Sequence, residues 1–244
     1  MPKKIITCLL LIFVYTNTFA QTVKVAVEPF PPLIIDNDKG YTIELLKKIE
    51  SISDLKFEIT IVPWIRARKM LKIGVYDMIA HSAPGAEGEE FYTYAEELNW
   101  KQEVCSDIYT LKRKNLNNFK NILVGVPRGG ENAAHELAGI PLKNIWSGDL
   151  ENLFKMLEKG RIDAFWYERG SSMSTIRKLK LDNVFYEKLP KDSPFAGIAV
   201  QKNEAGLALK EKLDKLIEKV DYDSIFHDYN LFLKMPDSGV LKSE

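Results

Sequence analysis

The sequence predicts an α/β protein of two similar lobes, each built on a parallel sheet, and two observations lead there. An order of strand, helix, strand, helix, strand begins at residue 23 and reaches residue 81, and a similar order resumes at residue 121. Strands that alternate with helices pair in parallel. In addition, "MLKIGVYDMIA" (residues 70–80) is echoed 86 positions later by "MLEKGRIDAFW" (residues 156–166), with Met, Leu, Gly and Asp at matching places. Each copy reads as the end of a helix, a glycine able to take a left-handed cap, and an aspartate opening a strand.

The first residues stand outside this plan. Lys3 and Lys4 are followed by an apolar run over residues 5–15, and Thr18-Phe19-Ala20 has a small residue at each end. That is the pattern of a cleavable secretory leader, residues 1–20. Cleavage after Ala20 gives a mature chain that starts at Gln21. In the first unit, "VKVAV" (residues 23–27) is an alternating β-branched strand that "EPFPP" breaks. A helix follows over residues 41–52, with Leu45, Ile49 and Ile52 on one stripe. "FEITIV" (residues 57–62) is a strand. After Pro63 comes a helix with Trp64, Ala67 and Leu71 on one stripe, then Gly74 and the strand "YDMIAH". In the second unit, "NILVGV" (residues 121–126) is a strand, and "RGGENAAHELAG" is a glycine turn feeding a helix. Residues 150–159 form a helix with Leu153, Met156 and Leu157 on its apolar face. Gly160 closes it, and "IDAFWY" is a strand. Near the end, Leu209, Leu213, Leu216 and Val220 mark an amphipathic helix.

Composition narrows the function. Without the two leader lysines, 32 basic residues stand against 34 acidic ones, which argues against nucleic acid and anionic lipid as partners. After the leader no run of about eighteen apolar residues occurs, so a soluble mature chain is expected. Cys105 is the one cysteine beyond the leader, so no internal disulfide is expected. His81, His135 and His227 have no companions at metal-binding spacing, and "HELAG" is not a zinc-protease motif. No strand leads into G-x-S-x-G, and Gly129-Gly130 is not a phosphate loop. The expectation is no catalytic residue, no metal and no cofactor.

Five stretches carry a resemblance: "VKVAVEPFPPLII", "VPWIRARKMLKIGVYDMIA", "KNILVGVPRGGENA", "LEKGRIDAFWYE" and "SPFAGIAVQKN". In their order and spacing the chain resembles the family 3 extracellular solute-binding proteins, among them periplasmic receptors for glutamine, histidine and lysine. The resemblance implies the type II periplasmic-binding-protein fold, in which a ligand cleft lies between two lobes joined by two hinge crossings. It implies a first lobe of residues 21–99 plus 197–244 and a second of residues 100–196. The crossings fall near residues 98–102 and 194–196. It implies that Phe30 and Trp64 are aromatic walls of the cleft. It also implies that Gly130 to Asn132 open a helix whose free N–H groups bind a carboxylate, and that Glu168 takes the solute's ammonium group. Receptors for amino acids clamp the solute carboxylate with an arginine whose slot here falls on Gly88 or Glu89. No arginine occurs between Arg68 and Arg113. Arg66 or Arg128 is the expected substitute. Arg66 is favoured over Arg68, because the two point to nearly opposite sides of one helix and Arg66 lies away from its buried stripe.

The repeat itself adds two residues. Five positions beyond each aspartate the strand reaches the cleft edge, at Ser82 in the first unit and Glu168 in the second. Together these readings describe a monomeric periplasmic protein that captures a small amine-bearing solute for an ABC-type importer or a sensor. The alternatives are a cyclohexadienyl dehydratase-like enzyme, with Glu168 as catalytic acid, and a degenerate paralogue without a tight ligand.

Overall fold

The computed structural model describes residues 20–85, 87–189 and 195–242. The expected leader lies outside them apart from Ala20, as does residue 194 of the second expected crossing. Among the described residues no helix is long and apolar enough to cross a membrane.

The chain begins with β1 (Gln21–Val27), α1 (Tyr41–Ser51), β2 (Leu55–Ile61), α2 (Trp64–Lys72) and β3 (Met78–Ser82), then α3 (Glu89–Tyr94) and the long β4 (Ala95–Glu103). β1 pairs in parallel with β2 and with β3. α1 is held by Ile43, Leu45, Leu46 and Ile49, all buried. The helix stops before Ile52, which is exposed rather than on the expected stripe. In α2, Ala67 and Leu71 are buried while Trp64 is left half-exposed.

After Val104 and Cys105 the chain enters the second lobe. It comprises β5 (Ser106–Thr110), β6 (Val124–Pro127), α4 (Glu131–Ala138), β7 (Ile145–Gly148), α5 (Leu150–Glu158), β8 (Ala164–Glu168), α6 (Arg169–Leu179) and β9 (Val184–Lys188). The chain then returns through β10 (Phe195–Gln201) to α7 (Glu204–Ile217). It ends with α8 (Tyr222–Ile225), α9 (His227–Leu233) and β11 (Ser238–Leu241).

The sheets run β2-β1-β3-β10-β4 and β11-β9-β5-β8-β6-β7. Read from its other end, the second repeats the first strand for strand and adds β11 at its edge. The echoed joints do the same work in both lobes. Gly74 and Gly160 take positive φ of 76° and 64°, the left-handed caps expected of them. Asp77 accepts the main-chain N–H of Lys24 in β1 at 2.8 Å, and Asp163 accepts that of Leu123 beside β6 at 3.3 Å. Each aspartate therefore staples its strand to the parallel neighbour.

One expectation is corrected. Residues 197–244 do not all belong to the first lobe. α7 packs on β4 and β10, but β11 pairs antiparallel with β9 in the second sheet. The segment from α8 to β11 thus forms a third crossing behind the cleft, beyond the two expected. Phe226 sits in the first lobe's core, and Phe232 packs against the cores of both lobes. The strap is anchored at the β8–α6 junction. Tyr229 donates its hydroxyl to Glu168 Oε1 at 2.8 Å, and Arg169 Nη1 donates to the carbonyl of Met235 at 3.1 Å.

Candidate functional site

A cavity of about 410 Å³ opens between the lobes. Its walls come from the carboxyl ends of the parallel strands: Glu28 and Phe30 after β1, His81 and Ser82 at the end of β3, Arg128 to Gly130 after β6, and Trp166 to Glu168 at the end of β8. That is where open parallel sheets bind ligands, because strand ends release the chain into loops there while helix N-termini converge. α2 adds Trp64 and Arg68, and α4 adds Asn132 and Glu136.

Trp64 is fixed from two sides. Its main-chain N–H, an unpaired donor at the helix start, is taken by the Glu28 carboxylate. Its indole N–H is taken by Glu87. Phe30 packs on His81 with ring centroids 5.4 Å apart. It also meets Tyr167 of the other lobe edge-on at 5.6 Å. The lobes also approach each other at Gly129, where an added Cβ would lie 3.9 Å from Ile65 Cγ1.

The electrostatics are acidic and dry. Burial pushes the Glu28 carboxyl up to about 7, against the N–H of Trp64. Glu168 is likewise pushed up to about 7 by burial, and Glu87 is raised for the same reason. Among the described residues no cation pairs with Glu28 or Glu168. Burial holds His81 neutral, down at about 3. Its Nε2 bonds to Thr42 Oγ1 at 2.8 Å, and its buried Nδ1 has no partner among the described residues. No group of three or more His, Cys, Asp or Glu among the described residues could hold a metal ion.

Of the residues singled out from sequence, Phe30, Trp64, Ser82, Arg128, Gly130, Asn132 and Glu168 border the cleft. Arg66 does not: it is exposed, and Arg68 borders the cleft in its place. The physical reason is helical spacing. Arg68 lies four residues after Trp64 and so shares the face that Trp64 turns to the cleft. Glu168 also departs from its expected part. It is the N-cap of α6, and its oxygens accept from Gly170 N at 2.6 Å, Ser171 N at 2.7 Å and the Tyr229 hydroxyl. Those three bonds leave about one of the carboxylate's four acceptor positions for a solute. Ser82 donates to Glu97 at 2.7 Å within its own lobe. At the start of α4, Glu131 turns its carboxylate back onto the N–H of Gly129 at 2.8 Å, just before the expected anion-binding stretch of Gly130 to Asn132. Glu28 was missed, although it directly follows a strand. The strand-edge rule that selected Ser82 and Glu168 would have found it.

No family model matches this chain, and no curated protein does. Solved structures do. An ancestral arginine-binding protein bound to arginine is 22% identical, covers 85% of this chain and 97% of its own, and superposes with a TM-score of 0.71. The amino acid ABC transporter substrate-binding protein AbpA of Streptococcus pneumoniae, bound to L-arginine, is 19% identical over 88% of this chain and 97% of its own, with a TM-score of 0.67. A histidine kinase sensor domain with similarity to periplasmic binding proteins is 18% identical over 93% of this chain and 100% of its own, with a TM-score of 0.66. The fold is that of the periplasmic solute-binding proteins.

The raised carboxyls give a pH dependence with a definite sign. A glutamate whose folded pKa lies above its unfolded value stabilises the fold below the unfolded value, and that contribution is lost as pH rises through the folded one. For Glu28 and Glu168 the loss runs from the ordinary value of 4.5 up to about 7 and dies away above it. His81 opposes them only below its ordinary value of 6.5. Between pH 6.5 and 8 the free protein should therefore lose roughly 1 kcal/mol of stability per glutamate. Urea unfolding at fixed ionic strength measures this, and Glu168→Gln should remove about half of the slope. A flat profile would mean that neither carboxyl is displaced.

Proposed function

We propose that this chain is a periplasmic solute-binding protein that captures a small amine-bearing solute by lobe closure and presents it to an ABC-type importer or a sensor. It acts as a monomer without a cofactor. The observation that carries the reading is Glu28. It is a largely buried carboxylate in the cleft between two lobes, with no cation of the described residues against it and with Phe30, Trp64 and Tyr167 around it. An unpaired charge in such a place is costly, and a cationic group lodged among aromatic faces removes the cost. The bound arginine of two structural neighbours is chemistry of this kind. The dehydratase alternative has less support, because it needs Glu168 to deliver a proton into the cleft while the fold itself engages both its oxygens.

A thermal-shift screen of amino acids, amines and short peptides tests the reading. A solute at one hundred times its Kd adds about 2.7 kcal/mol of apparent stability. Small-angle scattering with the best ligand should give a smaller or less variable radius of gyration, since the solute would select the closed arrangement in which Phe30 meets Tyr167. Stabilisation by uncharged or anionic solutes alone would reject the amine assignment. An unchanged radius at saturation would reject closure.

A further inference from the structure

The second sheet ends, on the side away from the cleft, in a cluster of exposed cations. Register brings the strand ends level there. Val124 of β6 pairs with Ile145 of β7 and Ala164 of β8, and Thr110 at the end of β5 pairs with Phe185 near the start of β9. Lys112, Arg113 and Lys114 follow β5, Lys120 precedes β6, Lys143 precedes β7 and Arg161 precedes β8. All six are exposed. The Asn144 side chain donates to the Lys120 carbonyl at 2.7 Å, which holds two of these turns side by side. Among the described residues none of the six forms an ion pair. The acids at this end do not balance them. Asp163 is the staple to Leu123, and Glu158 and Asp182 are matched in charge by Lys159 and Lys180. Two large apolar side chains stand beside the cations: Leu142, 53% exposed, and Trp146, 52% exposed, on the edge strand β7. β6 and β8, of four and five residues, run from this end to the cleft and set the two roughly 13–17 Å apart.

We propose that this face docks the protein on an anionic lipid surface, its lysine and arginine heads among the phosphates and Trp146 and Leu142 at the level of the headgroups. The near-even total of 32 basic and 34 acidic residues beyond the leader does not oppose this. A surface reads the charge that faces it, within a screening length of about 8 Å at physiological salt. Cations draw the face to the bilayer and an indole settles at the interface, and the two signals together give reversible attachment. Charge alone would suit an acidic protein as well. The bilayer is favoured by the exposed Trp146 ring, whose apolar body and polar N–H match a layer that is greasy on one side and wet on the other. Docking by this face leaves the cleft open, so the inference stands apart from the function proposed above.

The probe is a vesicle of about 30% phosphatidylglycerol in phosphatidylcholine, against pure phosphatidylcholine, with binding read by sedimentation. The purified protein should bind the anionic vesicle at low salt, ignore the neutral one and dissociate as sodium chloride is raised. Replacing Lys112, Arg113 and Lys114 together by Gln should weaken binding roughly a hundredfold, about fivefold per cation. Replacing Lys39, Lys48 and Lys219 of the first lobe by Gln changes net charge equally and should leave binding within a few-fold. All six positions are exposed, so the thermal midpoint should stay put in both variants. Brominated phosphatidylglycerol should quench part of the tryptophan emission, and Trp146→Phe should remove that part. Equal binding to both vesicles overturns the proposal, as does an equal loss in the two triple variants or quenching that survives Trp146→Phe. If anionic vesicles are ignored while poly-L-glutamate is bound, the face serves an acidic protein and the lipid assignment falls.

Discussion

Arg169→Met is expected to lower the unfolding free energy by about 3–5 kcal/mol. Arg169 is completely buried, and so is its partner Asp107. Nε and Nη2 each donate to one Asp107 oxygen at 2.8 Å, and the Tyr109 hydroxyl donates to Oδ2 at 2.8 Å. Methionine fills much of the volume and leaves Asp107 charged in a dry interior, which is the costly half of breaking a buried pair. It also releases the strap, because the carbonyl of Met235 loses its donor. Urea unfolding at pH 7 measures the loss, and two companion results identify its cause. Burial already pushes the Asp107 carboxyl up, against the hydrogen bonds of Arg169. Without the guanidinium it rises further, so the deficit should shrink as pH falls from 7 to 5 and the acid becomes neutral. Adding Asp107→Leu should recover a large part of the loss, since an apolar pair leaves no stranded charge. A deficit below about 1 kcal/mol that is independent of pH would show that solvent reaches Asp107.

What the sequence made legible follows from which residues the backbone constrains. The paired joints were readable because a left-handed cap selects glycine and a strand staple selects aspartate, so Gly74–Asp77 and Gly160–Asp163 had to look alike. The cleft's position followed from parallel strand order alone. The strap was not readable. α8 and α9 are four and seven residues long, and β11 is four residues whose pairing with β9 lies some fifty positions away in the chain. Segments that short carry no period, and only tertiary packing selects their partners. Arg68 was readable and was misjudged. Its choice depended on whether the face shared with Trp64 or the face opposite the core looks into the cleft, which is a question of lobe placement. Glu168 was misjudged because a glutamate is a rare N-cap. It caps here because Gly170 and Ser171 leave room, with the Tyr229 ring so close that a Cβ on Gly170 would lie 2.6 Å from it.

Glu28→Gln is expected to move affinity and stability in opposite directions. Removing the charge leaves a bound ammonium or guanidinium without its partner in a desolvated site, a loss of about 3 kcal/mol or more, over a hundredfold in Kd. In the free protein the same change removes a buried charge that no cation among the described residues balances. At pH 8, where Glu28 is ionised, the variant should therefore be more stable than the parent, as is common when a binding residue is held in an unfavourable state for its ligand. The pH dependence follows from the same carboxyl. A cationic solute favours the ionised form, so parent affinity should rise as pH increases through 7, whereas the stability of the free protein falls over that range. The variant should lose most of this rise while keeping the part due to Glu168 and Glu87. Calorimetry at pH 6, 7 and 8 with L-lysine or cadaverine, together with urea unfolding at the same pH values, gives both curves. If Glu28→Gln destabilises the fold at pH 8 and leaves affinity unchanged, its carboxylate serves chiefly to hold the N–H of Trp64 at the start of α2, and the cation must be sought elsewhere in the cleft.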